Sequence, residues 1–192
     1  MKSSRLEAFS DGVLAIIITI MILELKVPES YQLASLLAVL PKLLAYLLSY
    51  AYIAIYWNNH HHLLSSITKT NAKVLWGNMI WLFFMSLIPF STAWLSHFYK
   101  EQLPAMFYGI VLLLTAFAYI YLQRQVVNLS EAKLEELQEV GSDKKGKLSA
   151  FFYSLAIILS FVSSYLSIAC YITVAIIWFV PDRRFSKVLN GN

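Results

Sequence analysis

Residues that could handle ions or protons fall in two clusters in this chain. Asp11 and Glu24 bound an uncharged stretch, residues 12–23, that contains one hydroxyl side chain, Thr19. Carboxylates this close to an apolar segment are costly in lipid and usually face protein or water. The second cluster, residues 57–62 (Trp-Asn-Asn-His-His-His), has three imidazoles that titrate near neutral pH. These residue types suit ion handling more than bond-making catalysis.

The histidine cluster does not have the spacing of a metal site. Neighbouring residues on a helix point about 100° apart, so three consecutive imidazoles do not converge as an i, i+4 pair would. The single cysteine, Cys170, lies in an apolar run elsewhere. We find no phosphate-binding loop, nucleophile elbow, zinc-protease helix or paired-cysteine motif. The sequence therefore predicts no enzyme, no structural metal and no cofactor.

Composition points to the bilayer. Of the 192 residues, 59% are hydrophobic and 14% are charged, against about 25% charged in ordinary soluble domains. This excludes a soluble nucleic-acid binder and a disulfide-rich scaffold, and predicts an all-α integral membrane protein. The net charge of +4 is interpreted as a topology signal rather than as a nucleic-acid footprint.

The apolar segments predict one domain, residues 1–192, with six membrane spans. The last apolar run, residues 148–180, is ambiguous because one helix of that length would measure about 50 Å, whereas the hydrocarbon core is about 30 Å thick. We divide it at a turn over residues 163–167. The polar stretch at about 123–140 is predicted to be a cytoplasmic helical extension. The predicted spans are 6–27, 33–57, 74–95, 104–122, 148–163 and 167–180.

Basic residues decide the number of crossings. Lys144, Lys145 and Lys147 precede the last apolar run, and Arg183 and Arg184 follow it. Because cytoplasmic loops are enriched in Lys and Arg, both ends of the run are expected inside. This gives six spans with both termini cytoplasmic, whereas a five-span arrangement would place the arginine pair outside.

The first helix has an apolar stripe. At 100° per residue, Asp11 points more than about 100° away from Ile16, and we expect it to meet another helix. The stripe fits either ordinary helix packing or a pore lining. Thr19 could bond the carbonyl of Ala15 one turn earlier, as threonines in spans often do. The stripe consists of Arg5, Phe9, Gly12, Ile16, Thr19, Ile20 and Leu23.

Two motifs resemble a known family. Arg5 followed by Phe9-Ser10-Asp11 opens the first span, and the aliphatic run 16–23 follows it. The Trp-Asn-Asn-His-His element at residues 57–61 closes the second span. Together they resemble the transmembrane protein 175 family, the lysosomal and endosomal potassium channels and their prokaryotic relatives. The resemblance extends over the whole chain, as prokaryotic members are single six-span units.

This resemblance implies a homotetrameric potassium channel in a prokaryotic plasma membrane. Helix 1 would line a central pore without the T-V-G-Y-G filter or a re-entrant selectivity-filter loop. It would carry a hydrophobic gate at Ile16, with Ile20 and Leu23 continuing the constriction. Thr19 would contribute to selectivity, and potassium, the permeant ion, would bind transiently near Ile16 and Thr19.

The motif residues are expected to be structural. By this resemblance, a hydrogen-bond network holds helix 1 against its neighbours, and we expect Asp11 and its neighbours to meet His60 or Asn59. The alternative is a proton- or cation-coupled transporter, which the lack of inverted repeats and mid-span carboxylates disfavours. The implied partners are other copies of the chain, the bilayer and potassium ions. The network would comprise Arg5, Phe9, Ser10, Asp11, Trp57, Asn59 and His60.

Overall fold

The computed structural model describes residues 1–129 and 144–179, and these residues are mostly helical. The extension predicted at 123–140 therefore lies largely outside the described residues, as do Arg183 and Arg184. We number the helices in chain order. They are α1 (Ser3–Leu23), α2 (Leu33–Ser65), α3 (Ala72–Ser86), α4 (Ile88–His97), α5 (Gln102–Val127), α6 (Lys144–Leu159) and α7 (Ser164–Phe179).

Apolar helices dominate the described part of the chain. Helices α1, α2, the joined α3–α4 segment Ala72–His97, and α5 are each long and apolar enough to cross a membrane. Helix α7 is a shorter apolar helix of 16 residues. With α3 and α4 counted as one broken helix, the described residues form six helices.

A break divides the predicted third span into α3 and α4. Helix α3 ends at Ser86 and α4 begins at Ile88, with Leu87 between them. Pro89 explains the break, because its ring clashes with the carbonyl four residues earlier and it has no N–H to donate. Proline is well tolerated in the first turn of a helix, and Pro89 occupies that position in α4.

Other boundaries also differ from the predicted spans. Helix α2 continues to Ser65, eight residues past the predicted end at Trp57, so the histidine cluster is helical. Hydropathy reports where the chain leaves lipid, whereas asparagine and histidine can continue a helix into water. The long apolar run is interrupted at residues 160–163, slightly before the predicted turn at 163–167.

Helix α5 is the central element of the bundle and packs against α3, α4, α6 and α7. Helix α1 packs against α2, α3 and α4. The N-terminus is tied to the α2–α3 connection, since the Ser3 amide donates to Thr68 and the Thr70 amide donates to Met1. The start of α1 and the end of α2 therefore lie at the same end of the bundle.

Candidate functional site

Helix α1 has one packed face and one uncovered face. Leu6, Ser10, Leu14, Ile17 and Met21 are buried against the bundle. The predicted stripe lies on the other side, where Phe9, Ile16, Ile20 and Leu23 are 51, 58, 49 and 77% exposed. A single chain thus leaves a row of large apolar side chains on α1 without cover.

An apolar groove runs beside this stripe, between α1 and the break that separates α3 from α4. Ile16, Ile17 and Ile20 form its α1 wall, and Pro89 and Phe90 lie on the opposite wall. The polar groups at its edge are Glu24 and Ser86. The break in the third span therefore shapes the surroundings of the α1 stripe.

Thr19 is an exposed hydroxyl within the apolar stripe. Its Oγ1 donates to the Ile16 carbonyl at 2.9 Å, three residues back rather than to Ala15 four residues back. Because its only proton is used within the helix, the lone pairs of Oγ1 remain available outside it. An oxygen in this arrangement can accept a hydrogen bond or coordinate a cation.

A series of three buried hydrogen bonds holds the packed face of α1 against α3 and α2. His60 Nε2 donates to Asn78 Oδ1 at 2.8 Å, and Asn78 Nδ2 donates to Ser10 Oγ at 3.0 Å. Ser10 Oγ then donates to the Leu6 carbonyl at 2.9 Å. All three side chains are fully buried. These hydrogen bonds link α2, α3 and α1, and each donor meets an acceptor.

His60 is also fixed by an aromatic neighbour. Its ring stacks on Trp81 with centroids 4.6 Å apart and planes 15° apart. Because Nε2 donates to Asn78, the other ring nitrogen, Nδ1, is an acceptor, and it is buried without a partner among the described residues. This is the environment of a neutral positioning imidazole rather than of a metal ligand.

The other motif residues form separate contacts. Trp57 Nε1 donates to Asp11 Oδ1 at 2.9 Å, so Asp11 meets α2 through the indole and not through His60 or Asn59. Glu7 contacts His61 Nδ1. Asn59 donates to the Ile55 carbonyl in its own helix, and Arg5 is exposed with no ion pair within residues 1–129 and 144–179.

Asn78, which joins His60 to Ser10, is not part of the predicted network. Its side chain binds Ser10 68 positions earlier and His60 18 positions earlier, and such distant pairing leaves no local spacing pattern. The available signal was weaker: an asparagine inside an apolar span must find a hydrogen-bond partner, which suggests interhelical contact.

Comparison with known proteins identifies the family. Residues 5–89, which contain nearly all of α1, all of α2 and the network, match the family model described as the endosomal/lysosomal potassium channel TMEM175. A potassium channel from Chryseobacterium sp. (strain P1-3) is 46% identical over 192 residues, covering both chains completely. The chain belongs to the TMEM175 family. This is an ion-channel family and not an enzyme family, and its members act in membranes.

The chain is also similar to other TMEM175 proteins at lower sequence identity. A crystal structure of a lysosomal potassium-selective channel TMEM175 homolog from Chamaesiphon minutus superposes with a TM-score of 0.82. It is 30% identical and covers 93% of this chain and 96% of that one. The human endosomal/lysosomal proton channel TMEM175 is 31% identical over 113 residues, 53% of this chain but 22% of that protein. The chain is thus similar to bacterial potassium channels along its length, whereas the human protein matches about half of it.

Proposed function

We propose that this chain is one subunit of a homotetrameric, potassium-selective channel of a prokaryotic plasma membrane, with a central pore lined by α1. The observation that carries the proposal is the two-sided character of α1. One side is held in the bundle by a buried hydrogen-bond chain, and the other leaves an apolar stripe with one hydroxyl uncovered. Cyclic symmetry would bring four such stripes around one axis.

Ile16 is proposed as the gate. At 58% exposure its side chain projects from the middle of the stripe, and four copies would form a ring with no polar atoms. Water leaves a narrow apolar constriction readily, and an ion cannot pass without its hydration shell or a substitute for it. Ile20 and Leu23 would extend this constriction by one and two helical turns.

Thr19 is proposed as the selectivity layer next to that gate. Its hydroxyl proton is already donated to Ile16, so an oxygen lone pair is free to replace part of the hydration shell of potassium. Four copies would place four oxygens around the axis, without a re-entrant filter loop. Potassium would pause near Ile16 and Thr19 and then move on.

The proposed orientation, with a cytoplasmic N-terminus, is supported by the basic residues and by the hydrogen bonds between the N-terminus and the α2–α3 connection. The backbones of Lys2 and Lys69 pair in a single antiparallel β-bridge. The basic N-terminus and the basic α2–α3 connection therefore lie at the same end of the bundle. Basic residues favour the cytoplasmic side, which supports a cytoplasmic N-terminus. With six crossings, the C-terminus would be cytoplasmic as well.

The motif residues are proposed to position α1 rather than to touch the ion. Ser10 and Asp11 attach its first half to α3 and α2. Arg5 and Phe9 are exposed in the single chain, and the neighbouring subunit is the proposed cover for them. The position of the Ile16 side chains depends on how firmly α1 is held against α2 and α3.

Liposome flux distinguishes this proposal from a coupled transporter. Purified protein in potassium-loaded liposomes, with a protonophore present to carry the compensating charge, should release potassium down its gradient at a rate that grows with the gradient. Without the protonophore a channel should release little potassium, whereas an electroneutral exchanger does not need it. Protein-free liposomes set the background. Transport that saturates, and that moves potassium only in fixed ratio to a proton or a second ion, would contradict a channel.

A further inference from the structure

Glu24 stands at the end of the α1 stripe away from the N-terminus. It is the C-cap residue of α1 and still has helical backbone angles, so it follows Ile20 by one turn. At 1.5 Å per residue its backbone lies about 6 Å beyond Ile20 along the helix axis. The side chain is exposed. It is the acidic residue nearest to the proposed constriction at this end of α1.

The Glu24 side chain borders two crevices. One is the apolar groove that also contains Ile16 and Ile20. The other lies between α1, α2 and α4, where Lys42, Thr92 and Ser96 are among the lining residues. Glu24 therefore forms the ridge between the stripe side of α1 and a crevice with a basic side chain.

Lys42 does not neutralise this carboxylate by direct contact. No ion pair joins the two groups among the described residues, although they line the same crevice. Lys42 is half-buried in the apolar first part of α2, next to Pro41. Placing an ammonium group there is costly. Glu24 and Lys42 are thus two opposite charges that do not form a salt bridge, with Glu24 exposed and Lys42 more buried.

We propose that Glu24 concentrates cations at the outer mouth of the pore and that Lys42 limits this effect. The inference rests on the proposed channel function. Four copies of Glu24 around one axis would give a negative potential in water next to the constriction, and fixed charges of this kind raise local cation concentration. Lys42, set back from the stripe, would subtract from that potential.

Salt dependence separates this role from a structural one. The Debye length is about 30 Å at 0.01 M and about 3 Å at 1 M ionic strength. A charge at the pore mouth therefore acts on permeating ions at low salt and is screened at high salt. A variant that merely distorts the pore lowers conductance at both concentrations.

The test is single-channel recording of the full-length protein in planar bilayers at about 0.01 M and 1 M KCl. Glu24→Gln should lower conductance about three- to tenfold at the low concentration, most strongly for current entering from the Glu24 side, and leave it near wild type at 1 M. Glu24→Asp, which keeps the carboxylate, should retain the wild-type conductance at low salt. Lys42→Gln should raise the conductance at low salt. Glu101→Gln, at an exposed acid in the N-cap position of α5, is the matched control.

The outcomes separate the two proposals. Wild-type protein that forms no potassium conductance would overturn the proposed function itself. Conducting wild type with a Glu24→Gln variant unchanged at low salt, or reduced equally at both concentrations, would overturn the role of Glu24 alone. If Glu24→Gln does not assemble, an unchanged low-salt conductance in Lys42→Gln would likewise contradict it.

Discussion

At single residues, ion binding depends on which polar atoms are left without a hydrogen-bond partner. Thr19 donates its hydroxyl proton to the Ile16 carbonyl, so its oxygen can still accept a hydrogen bond or bind a cation. A hydroxyl that donated outward would instead present a partial positive charge to a cation. The local hydrogen bond, which looks like an ordinary feature of threonine in a helix, is thus what makes Thr19 suited to an ion.

Thr19→Ala should therefore weaken selectivity. Removing four oxygens from the ring takes away the ligands that replace hydration water, and we expect the potassium-to-sodium permeability ratio to fall toward 1. Reversal potentials under bi-ionic conditions measure this ratio. Thr19→Ser, which keeps the oxygen, is the control and should retain selectivity. An alanine variant with an unchanged ratio would remove Thr19 from the selectivity layer.

Asn78 is the residue on which the buried network depends. Asn78→Ala would leave the His60 Nε2 donor and one side of Ser10 unsatisfied in a fully buried site. Each buried group left without a partner costs about 1–3 kcal/mol, so the thermal unfolding temperature in detergent should fall clearly. Asn58→Ala, one turn before His62 on α2, is the matched control. Equal stability of the two variants would contradict the network.

At the scale of helices, the periodicity of α1 predicts a shared face for Ile16, Ile20 and Leu23, because 100° per residue holds in any α-helix. Which face packs inside is set by α2, α3 and α4, and no local pattern encodes it. The same limit explains the missed Asn78. The break at Leu87 has a visible cause in Pro89, yet hydropathy alone runs through it as one span.

The contact between α5 and α7 gives a test at this scale. A methyl group on Gly109 would overlap the Tyr171 hydroxyl and lie 3.0 Å from Ile157, so Gly109→Ala should destabilise the protein by about 1–3 kcal/mol through overpacking. Tyr171→Phe removes the hydroxyl that donates to Ala105. In that background the cost of Gly109→Ala should shrink in a double-mutant cycle monitored by thermal unfolding. Strictly additive effects would contradict the close approach.

At the scale of the whole molecule, topology and assembly decide whether four α1 stripes can meet. The basic residues predict both termini on the cytoplasmic side, and hydrogen bonds bring the N-terminus and the α2–α3 connection to the same end of the bundle. The long apolar run contains a break that gives α6 and α7. Its position was predicted only roughly, because serines near residue 160 accommodate both helix and turn.

A C-terminal reporter tests that topology. With six crossings and a cytoplasmic N-terminus, a fluorescent reporter on the C-terminus should be active inside the cell and a periplasmic reporter should be silent. Purified protein should have the mass of four 22.0 kDa chains in native mass spectrometry. An active periplasmic reporter would contradict the six-span topology, and a stable monomer or dimer would contradict the tetramer.

The uncovered face of α1 is proposed to line the ion path, with Ile16 as its gate. Single-channel recording of Ile16→Asn measures this directly, with Ile22→Asn as the control because Ile22 is also exposed on α1, at 42%, but lies about 120° away from Ile16. A polar ring at Ile16 should hydrate the constriction, so Ile16→Asn should raise open probability or conductance about tenfold, with the Ile22 variant near wild type. Equal behaviour of the two variants would contradict a pore on this face.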